Sequence, residues 1–271
     1  MTSTGMFTDS IDKDKPLIKI KNIWKSYNGI HVLKGLNLTV PASSATIILG
    51  RSGVGKSVLL KQILGLEEPD SGEIEINGTN IVGLSQKERQ AITGQMGMLF
   101  QGSALFDSMN IEENVGFALV NQNNHTKEYI QDQVAIALNN VGLSGYQKKL
   151  PSELSGGQKR RVALARLLVY APDILLFDEP TAGLDPITGD QIISLIHESQ
   201  KKLQATSIIV THNIQLALKI GKYFALHDDG VIKTYGEHSS FFSTSNPLVQ
   251  EFLAHTAVPP DTSASYSGGR E

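Results

Sequence analysis

The chain has 271 residues, 40% hydrophobic and 19% charged, enough to bury the core of one or two globular domains. Its net charge of -3 at pH 7 argues against a basic face that holds nucleic acid. The absence of cysteine excludes disulfides, thiolate catalysis and Cys-ligated zinc, and no apolar stretch is long enough to span a membrane.

Residues 1–16 include Asp9, Asp12 and Asp14 and lack both the apolar core of a secretory signal and the acid-poor character of a transit peptide, so they read as a flexible leader. Leu17 to Tyr27 sets Leu17, Ile18, Ile20 and Ile23 among lysines, which predicts an edge strand. Leu33, Leu36, Leu38 and Val40 predict a second strand, ended by Pro41. Ala45 to Leu49 reads as a short buried strand and Ser57 to Leu64 as a helix closed by Gly65.

Between them lie Gly50, Arg51, Ser52, Gly53, Val54, Gly55, Lys56 and Ser57, which fit the phosphate-cradling pattern G-x-x-x-x-G-K-[ST]. In that context the helix N-terminus presents unpaired amides, and the glycines let backbone approach phosphate oxygens closely. Lys56 suits β- and γ-phosphate oxygens, and the Ser57 hydroxyl suits Mg²⁺.

Gly72 to Gly78 alternates with period two and turns at Asn77-Gly78, a hairpin signal, and Gln95 to Phe100 reads as another strand. From about Gly102 to Pro151 the texture becomes helical. A helix is predicted over Lys127 to Val141, with apolar positions Ile130, Val134, Ile136, Ala137 and Leu138. Ser155 sits at an N-cap-like position before Gly156, Gly157 and Gln158, which makes a second candidate anion site at a helix start. Lys148-Lys149 and Lys159-Arg160-Arg161 read as solvated helix surface.

Ile174 to Phe177 is a continuous apolar strand of the kind covered on both faces. Asp178 and Glu179 end it, where ligands bind in parallel sheets, and can divide metal binding from water activation. Gly189 to Leu203 reads as a helix, Ser207 to Thr211 as a strand and Ile214 to Ile220 as a helix. Three residues and one helix face have two readings each. His212 contacts a γ-phosphate or is a plain polar strand end, and Gln101 touches Mg²⁺ or water. Tyr27 stacks on a purine or is one more strand aromatic. Leu248, Val249, Phe252 and Leu253 form a helix face that packs on its own domain or docks on a partner. Residues 259–271, rich in Pro, Ser and Gly, read as a flexible tail.

Taken together, these residues resemble the nucleotide-binding subunit of ATP-binding cassette (ABC) transporters over about Leu17 to Gly236. Leu154-Ser155-Gly156-Gly157-Gln158 reproduces the family signature, in the expected order between the P-loop and Asp178-Glu179. The resemblance implies an α/β P-loop NTPase with a RecA-like mixed sheet core, an antiparallel β subdomain and an inserted α-helical subdomain, placed here at 102–160. It implies ATP and Mg²⁺ as ligands. It matches Tyr27 to the adenine-stacking aromatic and Gln101 to the Q-loop. Asp178 and Glu179 match the metal residue and catalytic base, Asp185 in Ala182-Gly183-Leu184-Asp185 the D-loop, and His212 the switch histidine. Asn213 departs from a frequent Asp, which puts a supporting contact there in question.

The same resemblance implies an assembly. One chain's signature closes over another's P-loop, so a second ATPase subunit is needed, as a homodimer or a related pair, together with a separate integral permease. The expected place is peripheral, on the cytoplasmic face of the inner membrane. Residues 237–258 form a C-terminal helical extension in this scheme. Ser57-Val58-Leu59-Leu60-Lys61, Gly102 to Met109 with Asn114-Val115, and Asp185-Pro186-Ile187-Thr188 are similar to the Mla-type subfamily, whose members drive phospholipid movement with an MCE-domain protein. The alternatives are an importer of amino acids or another small solute, a non-transport cassette acting on nucleic acid, and a P-loop kinase. The nucleic-acid reading lacks a coiled coil or a second cassette, and the kinase reading gives no reason for Leu154 to Gln158.

Overall fold

The computed structural model describes residues 16–121 and 125–255. The expected leader, apart from Pro16, and the tail at 259–271 lie outside the described residues. The described residues open with strands β1 (Pro16–Tyr27) and β2 (Ile30–Pro41), followed by β3 (Ala45–Leu49) and helix α1 (Lys56–Ile63). Next come β4 (Ser71–Ile76), β5 (Thr79–Asn80), α2 (Gln86–Thr93) and β6 (Met96–Leu99). The helices α3 (Ile111–Asn121) and α4 (Lys127–Asn140) lead through a 3-10 turn at Pro151–Glu153 into α5 (Gly156–Leu168). Then β7 (Ile174–Asp178), α6 (Pro186–Leu203), β8 (Thr206–Thr211) and α7 (Ile214–Ile220) restore the α/β alternation. The described chain finishes with β9 (Tyr223–Asp228), β10 (Val231–Glu237), α8 (His238–Phe242) and α9 (Pro247–His255).

Two sheets result. An antiparallel sheet runs in the order β2-β1-β4-β5, and a mixed sheet in the order β10-β9-β3-β8-β7-β6. All neighbours in the second pair in parallel except β10 with β9. The edge position expected for 17–27 is not found: β1 lies between β2 and β4. Its lysines do not mark an edge because an antiparallel sheet keeps one face in water. Lys21 pairs across that face with Glu73 and Glu75 on β4. The Asn77-Gly78 turn between β4 and β5 forms as expected, with φ of 48 and 79 at the two residues.

The continuous apolar strands of the mixed sheet are explained by cover on both faces. Ile47, Leu49, Leu175, Phe177 and Ile209 point into one core with α3 to α7. Ile48, Ile174, Leu176, Ile208 and Val210 point into the other, with α1 and the antiparallel sheet. In α4 the expected inward positions hold except Ile136, which is exposed. Val249 of α9 is fully buried in the first core, with Phe252 and Leu253 packed against it, so α9 lies on its own chain.

Candidate functional site

Parallel strands bring three chain segments to one sheet edge: the loop after β3, the end of β7 and the end of β8. The loop Gly50 to Gly55 delivers the chain into α1 with Gly55 as N-cap at φ 104 and no side-chain cap. The first amides of α1 are therefore left for an outside acceptor. Gly50 admits no side chain, because a Cβ there would lie 2.4 Å from the His227 carbonyl oxygen.

Lys56 turns back over this loop. Its ammonium donates to the Gly50 and Arg51 carbonyls at 2.7 and 2.8 Å, and it lies 3.6 Å from Glu179 Oε1. Burial pushes its pKa down, and Glu179 pulls the other way. The Ser57 hydroxyl donates to Asp178 Oδ1 at 2.9 Å. Burial raises the Asp178 pKa, the Ser57 hydrogen bond opposes this, and the neighbouring Glu179 adds to it. Ser57 and Asp178 thus present two hard oxygen donors side by side. That fits Mg²⁺, which binds through one or two protein oxygens and completes its shell with water and phosphate.

Glu179 has a left-handed backbone, φ 45, unusual for a residue with a side chain and typical of functional sites. Its amide donates to the Val210 carbonyl at 3.0 Å, which fixes it beside β8. Its carboxylate accepts from Thr211 Oγ1 at 3.3 Å and the His212 amide at 3.4 Å, and meets His212 Nδ1 at 3.0 Å. Lys56, Ser57, Asp178, Glu179 and His212 thus form one connected cluster.

The other sequence candidates lie outside this cluster. Tyr27, at the end of β1, donates its hydroxyl to Glu67. Asp185 caps α6, accepting from the Thr188 amide at 3.0 Å, and hydrogen bonds from Thr188 hold its carboxyl below the usual range. Asn213, in question from the sequence, caps α7 through its Oδ1 at 3.1 Å from the Leu216 amide. Ser155 caps α5 in a reciprocal box with Gln158. No hydrogen bond or ion pair among the described residues joins Ser155–Gln158 to the loop at Gly50–Ser57. Helix α5 packs against β6, three strands from β3, or about 14 Å across the sheet.

Two residues were missed or misread in the sequence. Arg160, taken there as solvated, is only 4% exposed. It donates to the Phe100 carbonyl at 2.6 Å and to the Gln101 carbonyl, so the signature helix holds the Gln101 backbone. The signal was present: Arg160 shares a helix face with Leu164 and Leu167. Asn114 is fully buried and fastens the loop before α3, donating to the Phe106, Met109 and Asn110 carbonyls at 3.0 to 3.1 Å and accepting from the Phe106 amide. This loop displays Phe106 beside Phe117 at 4.8 Å, both partly exposed, with the Arg166 guanidinium 5.6 Å from the Phe106 ring.

Residues 33–182 match the family model described as ABC transporter. The chain is 38% identical to the intermembrane phospholipid transport system ATP-binding protein MlaF of Escherichia coli, over 84% of this chain and 85% of that protein. It is also 38% identical to the probable ribonucleotide transport ATP-binding protein mkl of Mycobacterium leprae, over 90% of this chain and 70% of that protein. Among solved structures it resembles the dimeric ATP-binding cassette MJ0796 bound to ADP and Pi, with a TM-score of 0.75 and 31% identity over 81% of this chain and 98% of that one.

Proposed function

The chain belongs to the ABC transporter family, and from that premise we propose that it energises phospholipid transfer between membranes, working as a pair of identical chains beneath a separate permease. It is an ATPase whose hydrolysis is coupled to transport. The observation that carries the site is the convergence of Lys56, Ser57, Asp178, Glu179 and His212 at the carboxyl ends of β3, β7 and β8.

Each group has a part that follows from its placement. The uncapped amides of α1 and the Lys56 ammonium receive the β- and γ-phosphates, and Lys56 exchanges its two carbonyl acceptors for phosphate oxygens. Ser57 and Asp178 would hold Mg²⁺, with Gln101 as a further oxygen donor by the family likeness, and the ion would supply positive charge to offset that of the phosphates. Glu179 is held rigidly enough to orient a water for attack on the γ-phosphorus and to accept its proton. His212, 63% exposed at its side chain and hydrogen-bonded to Glu179, reports the γ-phosphate to that base. Tyr27 stacks on adenine. Ser155 to Gln158 and Asp185 face the nucleotide of the second chain.

Replacement of Glu179 by Gln is expected to cut hydrolysis by roughly 10²- to 10⁴-fold while ATP still binds, and Lys56→Ala is expected to lose binding. Normal turnover by Glu179→Gln would remove the base assignment. For the cargo, the likeness to MlaF and the segments 57–61, 102–109 and 185–188 support a phospholipid, with an MCE-domain protein as accessory partner. The rigid Phe106–Phe117 pair supplies an apolar contact for a permease. Among the described residues no helix is long and apolar enough to cross a membrane, and attachment through such a permease would hold the chain at the cytoplasmic face. A ribonucleotide cargo is the second reading, favoured by the likeness to the probable ribonucleotide transport protein of M. leprae. Lipid found in the complex copurified with its membrane partners would support the first reading, and bound nucleotide beyond the catalytic ATP the second.

A further inference from the structure

The connection from α1 to β4 is built as a clasp. Helix α1 ends with Gly65 at φ 73, the Gly65 amide donating to the Gln62 carbonyl and the Leu66 amide to the Lys61 carbonyl at 3.0 and 2.9 Å. This paired closure turns the chain back along the helix. The positive φ favours glycine, and a Cβ at Gly65 would lie 2.6 Å from Arg89 Cδ and displace that side chain. The turn brings Glu67 Oε1 to 3.2 Å from Lys61 Nζ, while Glu67 Oε2 accepts the Tyr27 hydroxyl. Further contacts bind this segment to the end of β1. The Asp70 amide donates to the Trp24 carbonyl at 2.8 Å, the Ser26 amide to Asp70 Oδ2 at 2.6 Å, and Lys25 Nζ to the Glu68 carbonyl at 2.7 Å. Lys25 Nζ also stands 5.5 Å from the centre of the Tyr27 ring.

We propose that Glu67 is a positioning residue that fixes the Tyr27 ring relative to the phosphate loop, so that base and triphosphate are recognised in one register; this rests on the reading of Tyr27 as the adenine-stacking residue. The physical path is short. Lys61 belongs to the helix whose first residues are Lys56 and Ser57, and that helix is about 12 Å long and stiff. Tyr27 is 39% exposed and sits at the tip of a hairpin, where an untethered ring would sample several rotamers. A hydroxyl-to-carboxylate bond is among the stronger hydrogen bonds and holds such a ring in one. The site conforms to that use. Burial first, and Glu67 second, push the Tyr27 hydroxyl up to about 12, so it stays a donor, while that hydrogen bond holds the Glu67 carboxyl below its usual range.

The test uses the full chain and compares ATP with inorganic tripolyphosphate as competing ligand. Glu67→Ala and Tyr27→Phe should each raise the KM for ATP about three- to tenfold, the weight of one net hydrogen bond, with kcat unchanged. Inhibition by tripolyphosphate should not move, and Glu67→Gln, which still accepts a hydrogen bond, should recover most of the loss. The double variant should be no worse than either single one. A parallel weakening of tripolyphosphate would mean that the change merely loosens α1, and would overturn the proposal. So would additive losses, or an unaffected Glu67→Ala alongside a weakened Tyr27→Ala. An unaffected Tyr27→Ala would overturn both the proposal and the stacking role it rests on.

Discussion

Arg160 shows how one side chain ties two parts of the site together. Its guanidinium forks to the Phe100 and Gln101 carbonyls from inside the protein, and burial lowers its pKa. Arg160→Met would strip this donor from the Gln101 carbonyl and leave the Phe100 carbonyl with the Ser103 amide, at a cost of roughly 1–3 kcal/mol in all. Urea unfolding should register that loss, and Arg160→Lys should not restore it, because an ammonium cannot match the planar fork. Unchanged stability in Arg160→Met would refute the clamp. His227 gives a second test at this scale. It is fully buried, and neither ring nitrogen has a hydrogen-bond partner among the described residues. Burial first, and then Lys56, lower its pKa from 6.5 to about 4. The unfolded chain therefore takes up a proton below about pH 6.5 that the folded chain refuses until about pH 4. Stability should fall across that window as pH drops, by about 3 kcal/mol in all. His227→Leu should remove this part of the acid slope, and an unchanged slope would show that other groups cause it. The phosphate-loop residues were legible because their chemistry is tied to a fixed spacing, as in Gly50 to Ser57. Asn114 was not, because it acts by holding backbone carbonyls, which no spacing announces, whereas the burial of Arg160 was legible only from the helix face it shares with Leu164 and Leu167.

Among the elements, legibility followed burial. The strand at Ile174 to Phe177 and the helix at Ile214 to Ile220 were plain from their apolar runs, and both are buried where expected. Helix α2 was missed because none of its residues is buried. Only its cap, Ser85 with Glu88, marks it in the sequence. Strands β9 and β10 were missed because their residues carry no motif, although Phe224 and Ala225 are fully buried beside β3. The β1 position was misread because lysines on a solvated sheet face look like lysines on an edge. Helix α9 carries a prediction here. Val249 is fully buried, and Glu251 of the same helix meets Arg51 of the phosphate loop at 2.8 Å. Truncation after Asn246 should therefore lower the urea midpoint, since it uncovers the core around Phe241. Val249→Asp should do the same by placing a charge in that core. If neither variant moves the midpoint, the packing of α9 contributes nothing to the fold.

At the scale of the whole molecule the two halves of the proposed chemistry are apart. The phosphate loop, Asp178, Glu179 and His212 share one edge of the mixed sheet, while Ser155 caps a helix that packs three strands away. In the proposed scheme this separation reserves the exposed Ser155 and Gly156 for a neighbour's nucleotide. In this scheme the γ-phosphate bridges two chains, and hydrolysis releases them, so that the closing and opening drive the permease. The most direct measurement is sedimentation of Glu179→Gln with ATP and Mg²⁺, with and without Ser155→Arg. The account predicts a dimer for Glu179→Gln, and a monomer that still binds ATP when Ser155→Arg is added. A dimer that survives Ser155→Arg, or no dimer with ATP at all, would contradict it.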